Sequence, residues 1–175
     1  LILLLAISSC FLTGCVNQHP KDSKKSSQGE SVETMLEITD PKEKQAVLNA
    51  KAKVKALSGN PRIVATSPAV ADICDKLDLD LVGVPKSSVS KIPSRYKKVK
   101  KVGLAMSPDM EIVSSLNPDW ILAPSSLETD LKPKFEELKN TEYAFLNLRS
   151  VQGMYRSVQE LGEIFGKQQE AEKMT

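Results

Sequence analysis

The sequence predicts an α/β fold, namely a layered domain with a mainly parallel sheet. Short apolar runs recur along the chain, and each is typical of a strand that is buried on both faces. The segments between these runs repeat apolar residues every three or four positions, as on the buried face of a helix. Strands and helices that alternate at this spacing indicate a parallel sheet covered by helices. The predicted strands are residues 63–66, 81–84, 120–123 and 143–146.

The N-terminal part of the chain predicts a secretion signal followed by a polar tether. Residues 1–15 contain an apolar segment shorter than the roughly 20 residues that span a bilayer, and they end in Leu12-Thr13-Gly14-Cys15. This ending resembles the lipobox of bacterial lipoproteins, in which the cysteine carries diacylglycerol. The alternative is that Cys15 is only a small apolar residue of the signal. The resemblance implies an extracellular protein anchored to the cell membrane through Cys15. Residues 16–60 are mostly polar and predict a tether, with a marginal helix over 42–57.

The folded part is expected to begin at residue 61, and its first strand leads into a helix with a clear start signal. Ser67 is predicted as the N-cap and Pro68 as the first helical residue. The helix should bury an apolar face against the sheet. The predicted members of this face are Ala69, Val70, Ile73, Cys74 and Leu77. With Cys10 removed and Cys15 lipidated, Cys74 would be the one free thiol, and a small buried side chain rather than a nucleophile.

After the second strand come a basic loop and a turn around Met106. The loop carries basic residues and no acidic one: Lys86, Lys91, Arg95, Lys97, Lys98, Lys100 and Lys101. Such a loop is either a solvated surface or a region that attracts an anionic ligand, an anionic membrane or an acidic partner. Gly103 permits a sharp turn, and Ser107-Pro108 repeats the cap-and-proline signal for a helix. Met106 is therefore expected between a strand end and a helix start, where ligands bind in open α/β sheets.

The C-terminal half predicts further helices around the remaining strands. Asn117-Pro118-Asp119 should end the helix that begins at Pro108. Apolar residues from Leu127 to Leu138 predict the next helix, which Pro133 could break. The most regular helical pattern starts at residue 151, and the chain then runs on without a stop signal to residue 175. Both ends look cut, so we expect a fragment of a longer protein.

The residues of the folded part lack most groups that enzymes use. His19 is the only histidine and lies in the tether, so no Ser-His-Asp or Cys-His arrangement is available. No glycine-rich nucleotide motif follows a strand, and no Cys/His spacing suggests zinc. A net charge of +2, from 24 basic and 22 acidic residues, and an aromatic content of 5% argue against nucleic acid as a partner. The sequence predicts a protein that is not an enzyme and is a monomer.

The loops at three predicted strand ends remain as the candidate site, at residues 66–69, 85–88 and 105–107. Helix N-termini behind two of these loops would present free N–H groups that suit a carboxylate. Capping alone also explains the serines. A methionine such as Met106 usually fills a gap in the packing, but its thioether is also a soft ligand for haem iron.

Several segments together resemble one family of proteins. Besides the lipobox they are Arg62-Ile63-Val64, Pro93-Ser94-Arg95-Tyr96-Lys97, Val102-Gly103-Leu104-Ala105-Met106-Ser107-Pro108 and Leu116-Asn117-Pro118-Asp119. The chain is similar to the IsdE-type haem-binding lipoproteins, which are receptors of Gram-positive haem ABC importers among the class III substrate-binding proteins. The resemblance implies a Rossmann-like fold that is the N-terminal half of a bilobal protein. Residues 61–150 would form its N-terminal substrate-binding lobe, and residues 151–175 the start of a long helix between the lobes.

The resemblance also implies residues of the site. Met106 matches the methionine that binds haem iron in the family, and the second axial ligand would be a histidine of the other lobe. Contacts to the porphyrin and its propionates match Pro68 and Ala69, at the start of the first helix, and Ser87 and Ser88, after the second strand. The family often has an aromatic residue at the position of Ser88, and the loop that follows is one residue longer here.

The function implied is capture of haem, as the transported ligand, between two lobes and its delivery to an ABC permease and ATPase for iron acquisition. Cell-wall haem carriers would act upstream. Two alternatives stay open. A ferric siderophore or corrinoid receptor of the same fold would leave Met106 merely packed, although the loops hold few aromatic residues for such a ligand. A surface lipoprotein without a transport function would dock a partner through the basic loop.

Overall fold

A parallel five-stranded sheet forms the centre of the protein in a computed structural model that describes residues 40–175. The helices are α1 (Pro41–Lys55), α2 (Pro68–Lys76), α3 (Met110–Ser115), α4 (Glu128–Glu136), α5 (Val151–Phe165) and α6 (Gln168–Glu172). The strands are β1 (Ile63–Ala65), β2 (Leu81–Val84), β3 (Lys100–Lys101), β4 (Gly103–Leu104), β5 (Ser107–Pro108), β6 (Trp120–Pro124) and β7 (Glu142–Leu146). The predicted signal, Cys15, His19 and the first part of the tether lie outside the described residues.

The order of the strands reverses at the middle of the sheet. The order is β3-β2-β1-β6-β7, and each neighbouring pair is parallel. The chain passes from β1 outward to β2 and β3, and then returns to the other side of β1 to form β6 and β7. Strands β4 and β5 form a separate antiparallel hairpin. The predicted α/β class with a mainly parallel sheet is confirmed, and the site is expected at the carboxyl ends of the strands.

Alternating side chains of the central strands build a core on each face of the sheet. Ile63 and Ala65 pack on the face that is covered by α1, α2, α5 and α6, whereas Val64 packs on the opposite face. That opposite face is covered by α3 and α4, through Val113 and Phe135. Both faces of the sheet are therefore covered by helices, which explains why its strands appear as continuous apolar runs in the sequence.

The first described helix belongs to the folded unit, which corrects the prediction of a tether as far as residue 60. Helix α1 packs against α5 through the buried Val47 and the half-buried Ala50 and Val54. Two lysines of α1 reach acidic partners far along the chain. Lys51 pairs with Glu163, and the Lys53 Nζ lies 2.5 Å from a carboxylate oxygen of Glu142. The pattern of α1 looked marginal because only a narrow strip of it is buried.

The C-terminal segment is two helices, not the single continuous helix that was expected over residues 151–175. Helix α5 ends at Gly166, which takes a left-handed φ of 69° and favours glycine for that reason. The Lys167 N–H then donates to the Gly162 carbonyl at 2.7 Å. Helix α6 folds back, and its Ala171 is buried in the core. A position between two lobes is untested and stays a prediction.

The structure also differs from three local expectations. Ala69 is exposed at the start of α2, and Ala71 occupies the buried face instead. Pro133 lies inside α4 without breaking it, on the exposed side of the helix. The basic loop contains the edge strand β3, which pairs with β2.

Among the helices described, none has the length and apolar character needed to cross a membrane.

Candidate functional site

The candidate loops meet at one edge of the sheet because β1, β2 and β3 are neighbours. Parallel strands lie about 4.8 Å apart, so the loops that follow these strands span on the order of 10 Å. Pro68 and Ala69 follow β1, Ser87 and Ser88 follow β2, and Met106 follows β3. The structure thus brings all five predicted site residues to the same edge, beside the point at which the strand order reverses.

The loop after β1 presents one free backbone donor. The Ser67 side chain caps α2 and accepts a hydrogen bond from the Val70 N–H at 3.2 Å. Pro68 has no N–H, and the Ala71 N–H donates to the Ser67 carbonyl at 3.0 Å. Ala69 is exposed, and its N–H is left without a partner among the described residues. This part of the site can donate one hydrogen bond from a helix N-terminus to an anionic group.

The loop after β2 is joined to the turn that carries Met106. The Lys86 N–H donates to the Gly103 carbonyl at 2.6 Å, which holds the two segments side by side. The Ser87 hydroxyl accepts a hydrogen bond from the Ser90 N–H at 3.0 Å and shapes the loop. Ser88 is exposed, and Val89 beside it keeps 95% of its surface accessible. Ser88 therefore has the more available hydroxyl group of the two serines.

Met106 lies at the tip of the β4–β5 hairpin, and 73% of its surface is exposed. Gly103 starts this hairpin with a φ of 98°. A Cβ atom on Gly103 would lie 2.9 Å from the Asp109 nitrogen and 3.0 Å from the Ser107 carbonyl oxygen, so only glycine fits without movement of the backbone. The expected turn after a strand is confirmed at Gly103. Its tip presents a thioether that is not used for packing.

The predicted helix start at Ser107-Pro108 is wrong, because these two residues form β5. The N-cap of α3 is Asp109, whose carboxylate accepts hydrogen bonds from the Glu111 and Ile112 N–H groups, both at 3.1 Å. The Asp109 N–H donates to the Val102 carbonyl at 2.7 Å and closes the base of the hairpin. Because a carboxylate already occupies this helix end, it cannot serve as the anion-binding terminus that the sequence suggested.

Leu104 is a residue of this edge that the sequence analysis did not identify. It lies on the same hairpin as Met106 and is 56% exposed. Together with Val89 these side chains give the edge an exposed apolar character, whereas the helix terminus at Ala69 supplies a polar group. The sequence shows an apolar residue after Gly103, but a strand of two residues is too short for the alternation of apolar and polar residues that would show whether Leu104 is exposed. The edge suits a ligand that combines an apolar body with an anionic group.

The basic loop divides into one structural residue and several solvated lysines. Arg95 donates to the carboxylates of Asp78 and Asp80, each at 2.8 Å, and lies 3.8 Å from Asp75. Its side chain is thus used within the fold. Hydrogen bonds from Arg95 and then from Lys167 hold the pKa of the Asp78 carboxyl group below its usual range. The lysines are exposed, and in residues 40–175 they form no ion pair. They are Lys86, Lys91, Lys97, Lys98, Lys100 and Lys101.

The described residues include no group of three or more His, Cys, Asp or Glu side chains placed to hold a metal ion. The thioether of Met106 is a soft donor that this edge presents to solvent. Cys74 does not contribute, because it lies on the buried face of α2 and its burial raises the pKa of the thiol to about 12.

Comparison with known proteins identifies the family. Residues 63–175 match the periplasmic binding protein family, which covers most of the described sheet and helices. The chain belongs to this family. Within it, the chain is 36% identical over 117 residues to the high-affinity heme uptake system protein IsdE of Staphylococcus aureus. That match covers 67% of this chain and 39% of IsdE, so the chain spans about two fifths of the curated relative.

Solved structures of the family have the same fold as this chain. An ABC transporter substrate-binding protein from Listeria monocytogenes superposes with a TM-score of 0.63 at 45% identity, over 66% of this chain and 44% of that one. The S. aureus IsdE complex with heme gives 0.62 at 35% identity, over 66% and 44%. The siderophore-binding protein BauB, bound to acinetobactin and ferric iron, gives 0.57 at 25% identity, over 67% and 44%. These neighbours are class III binding proteins, as the sequence predicted, and none of them is named as an enzyme.

Proposed function

We propose that this chain is the N-terminal lobe of a haem receptor that delivers haem to an ABC permease. The observation that supports the proposal most directly is the exposed Met106 at the hairpin tip, in a chain that is 36% identical to a heme uptake protein. The exposed Met106 lies on the same hairpin as the exposed Leu104, so its thioether is available to a ligand at this edge.

In this proposal the thioether of Met106 coordinates the haem iron from one side. A neutral sulfur donor suits haem iron, for which methionine is a known axial ligand. The chain spans 39% of IsdE, and we place the second axial ligand, a histidine, on the other lobe of the receptor. The hydrogen bond from the Lys86 N–H to the Gly103 carbonyl holds the base of the hairpin beside the loop after β2, so Met106 and that loop can contact the same ligand.

The remaining site residues hold the body and the edge of the porphyrin. Leu104 and Met106 offer apolar contact to the ring. Pro68 and Ala69 contact the edge of the porphyrin, and the free N–H of Ala69 donates to a propionate. Ser88 donates its exposed hydroxyl group, and Ser87 supports the loop through Ser90. The solvated lysines of the basic loop add a positive field that attracts the ionised propionates of haem.

The location and the partners follow from the same proposal. The receptor would lie on the extracellular face of the membrane, held by a lipid on Cys15. It would receive haem from carriers of the cell wall and pass it to an ABC permease with its ATPase.

A haem titration of this chain and of matched methionine variants tests the proposal. We expect saturable binding of one haem, followed by its absorption bands, and a shift of these bands in Met106→Leu, which keeps the volume but removes the sulfur. The rate of haem loss should rise about tenfold or more, which corresponds to roughly 1.4 kcal/mol. Met110→Leu is the control, because Met110 is the first residue of α3 and packs, half-buried, against the core. Unchanged bands and an unchanged rate in Met106→Leu would refute the role of Met106.

A ferric siderophore or corrinoid receptor is the second candidate, favoured by the fold shared with BauB. In that case Met106 would contact the ligand without binding iron, and the exposed donors at Ala69 and Ser88 would contact its polar groups. Titration with a ferric hydroxamate and with vitamin B12, beside haem, distinguishes these ligands. Binding of one of these ligands without binding of haem would support the assignment as a receptor and exclude haem as its ligand.

A further inference from the structure

We propose that the outer edge of β3 is a docking surface for an anionic lipid bilayer, and that a row of lysines supplies the attraction. These lysines are called the lysine edge below, and they are Lys86, Lys91, Lys97, Lys98, Lys100 and Lys101. All six are exposed, and none forms an ion pair within the described part of the chain. The proposal concerns how the protein lies on a membrane and does not depend on the ligand of the site.

The topology of the sheet spreads these lysines along one edge. Strand β3 is the outermost strand on its side and runs parallel to β2. The chain must therefore return from the carboxyl end of β2 to the amino end of β3. Lys86 lies at the carboxyl end of β2, whereas Lys97 and Lys98 come just before the amino end of β3. Lys100 and Lys101 form β3 itself, so positive charge follows the whole edge.

No carboxylate within this segment compensates the charge. Residues 86–101 contain seven basic residues and no acidic one. The acidic residues that precede β2 are already bound, because Arg95 lies 2.8 Å from both Asp78 and Asp80 and 3.8 Å from Asp75. The lysine edge is therefore a local positive surface on a chain whose net charge is only +2.

The types of residue on this surface favour a bilayer over an acidic protein. Interfaces between proteins are enriched in arginine, tyrosine and tryptophan and depleted in lysine. The arginine and the tyrosine of this segment are used inside the fold, since Arg95 binds carboxylates and the buried Tyr96 donates its hydroxyl group to the Leu79 carbonyl. Lysines are flexible, strongly hydrated charges that suit the diffuse charge of lipid headgroups. Val89, which is 95% exposed in the same segment, adds an apolar side chain that can enter the headgroup layer.

Partitioning of the chain onto lipid vesicles, without haem, tests the proposal. Vesicles of phosphatidylcholine with about 30% phosphatidylglycerol are compared with vesicles of phosphatidylcholine alone, in about 0.1 M salt. Residues 1–14 are largely apolar and contribute to both kinds of vesicle, so the ratio of the two partition coefficients is the quantity measured. We expect a ratio of about 100 or more, which falls towards one as the salt is raised to about 0.5 M.

Two quadruple variants with the same change of net charge separate the lysine edge from charge in general. The first changes four lysines of the edge: Lys97→Gln, Lys98→Gln, Lys100→Gln and Lys101→Gln. The second changes four exposed lysines of α1, α4 and the segment after α4: Lys44→Gln, Lys132→Gln, Lys134→Gln and Lys139→Gln. Because each lysine near an anionic surface contributes about fivefold, the first variant should lower the ratio by about 100-fold or more. The second should change it by less than about threefold, since charges far from the bilayer are screened.

The remaining outcomes decide between a bilayer and other anionic partners. Arginine at the same four positions of the lysine edge keeps the charge, so the ratio should stay within about threefold of that of the unmodified chain. A ratio near one in the unmodified chain would overturn the proposal and assign the lysine edge to an acidic protein. Equal losses in the two glutamine variants would also overturn it. So would displacement by about 10 mM glycerol 3-phosphate, because a single phosphate site would then explain the binding.

Discussion

Replacement of Gly103 by alanine tests whether the hairpin that carries Met106 depends on one backbone position. Gly103 has a φ of 98°, where residues with a side chain are strained. The new Cβ atom would also lie 2.9 Å from the nitrogen of Asp109 and 3.0 Å from the carbonyl oxygen of Ser107. Both neighbours are backbone atoms, so they cannot turn away as a flexible side chain would. The Asp109 N–H bond to Val102 at the base of the hairpin must shift.

The expected loss of stability can be built from these two effects. Strained backbone at one residue costs about 1–3 kcal/mol, and forcing an extra carbon into a closed position costs about 1–3 kcal/mol. Their sum, about 2–6 kcal/mol, is a large part of the roughly 5–15 kcal/mol that stabilises a typical domain. Because Gly103 also joins the loop after β2 through Lys86, the displacement should extend to Ser87 and Ser88.

Two other glycines separate strain from close contact. Gly166 has a φ of 69°, but a Cβ atom there meets no atom within 4 Å, so Gly166→Ala should cost only about 1–2 kcal/mol. Gly59 has neither a positive φ nor a neighbour within 4 Å, so Gly59→Ala should be neutral or stabilise by about 0.4–1 kcal/mol. Urea unfolding, followed by Trp120 fluorescence, gives the three values. A loss in Gly103→Ala no larger than that in Gly166→Ala would refute the close-contact argument.

Three further predictions concern the rest of the fold. Phe135→Ala should lower the free energy of unfolding, measured by urea unfolding, by about 3–5 kcal/mol, because the ring is buried and stacks on Phe145 at a centroid distance of 5.8 Å. A loss below about 1 kcal/mol would contradict this packing. Cys74 should resist alkylation in the native protein at about pH 8 and react in urea, as peptide mapping by mass would show, since burial raises the pKa of its thiol to about 12. Asp78→Asn should lower the free energy of unfolding near neutral pH, because it removes the contact of a carboxylate with Arg95. The difference from the unmodified chain should vanish as the pH falls through the lowered pKa of Asp78, where that carboxylate is protonated. A difference that persists in strong acid would contradict this assignment.

The sequence predicts the central part of this fold well because those elements are defined by local patterns. The run that starts at Trp120 is buried residue after residue, as a strand covered on both faces must be. Ser67 caps α2 as its sequence position indicates, and the carboxyl ends of β1 and β2 then fix where Pro68 and Ser87 lie. The candidate site could be predicted for this reason: its residues are defined by the strand ends.

The elements that the sequence did not predict are held by contacts between distant residues. Strand β3 consists of two exposed lysines, and only its pairing with β2 shows that it is a strand. Lysine at a sheet edge discourages further pairing and gives no apolar signal. For α1 the sequence predicts a marginal helix but not its packing on α5, because Lys51 and Lys53 find their partners at Glu163 and Glu142. No pattern within α1 reveals those partners.

The same dipeptide, Ser-Pro, starts a helix at Ser67 and ends a hairpin at Ser107, and the difference explains how Met106 comes to be exposed. Serine and aspartate are about equally good helix caps, so propensity alone does not choose between Ser107 and Asp109. The bonds of the hairpin decide, because Pro108 pairs with Gly103 and the Asp109 N–H donates to the Val102 carbonyl. Had α3 started at Pro108, the pairing of Gly103 with Pro108 would have been lost. The later start of α3, at Met110 after the Asp109 cap, leaves room for the two-residue turn Ala105-Met106. The exposure of Met106 therefore depends on Gly103, the left-handed glycine at the base of the hairpin.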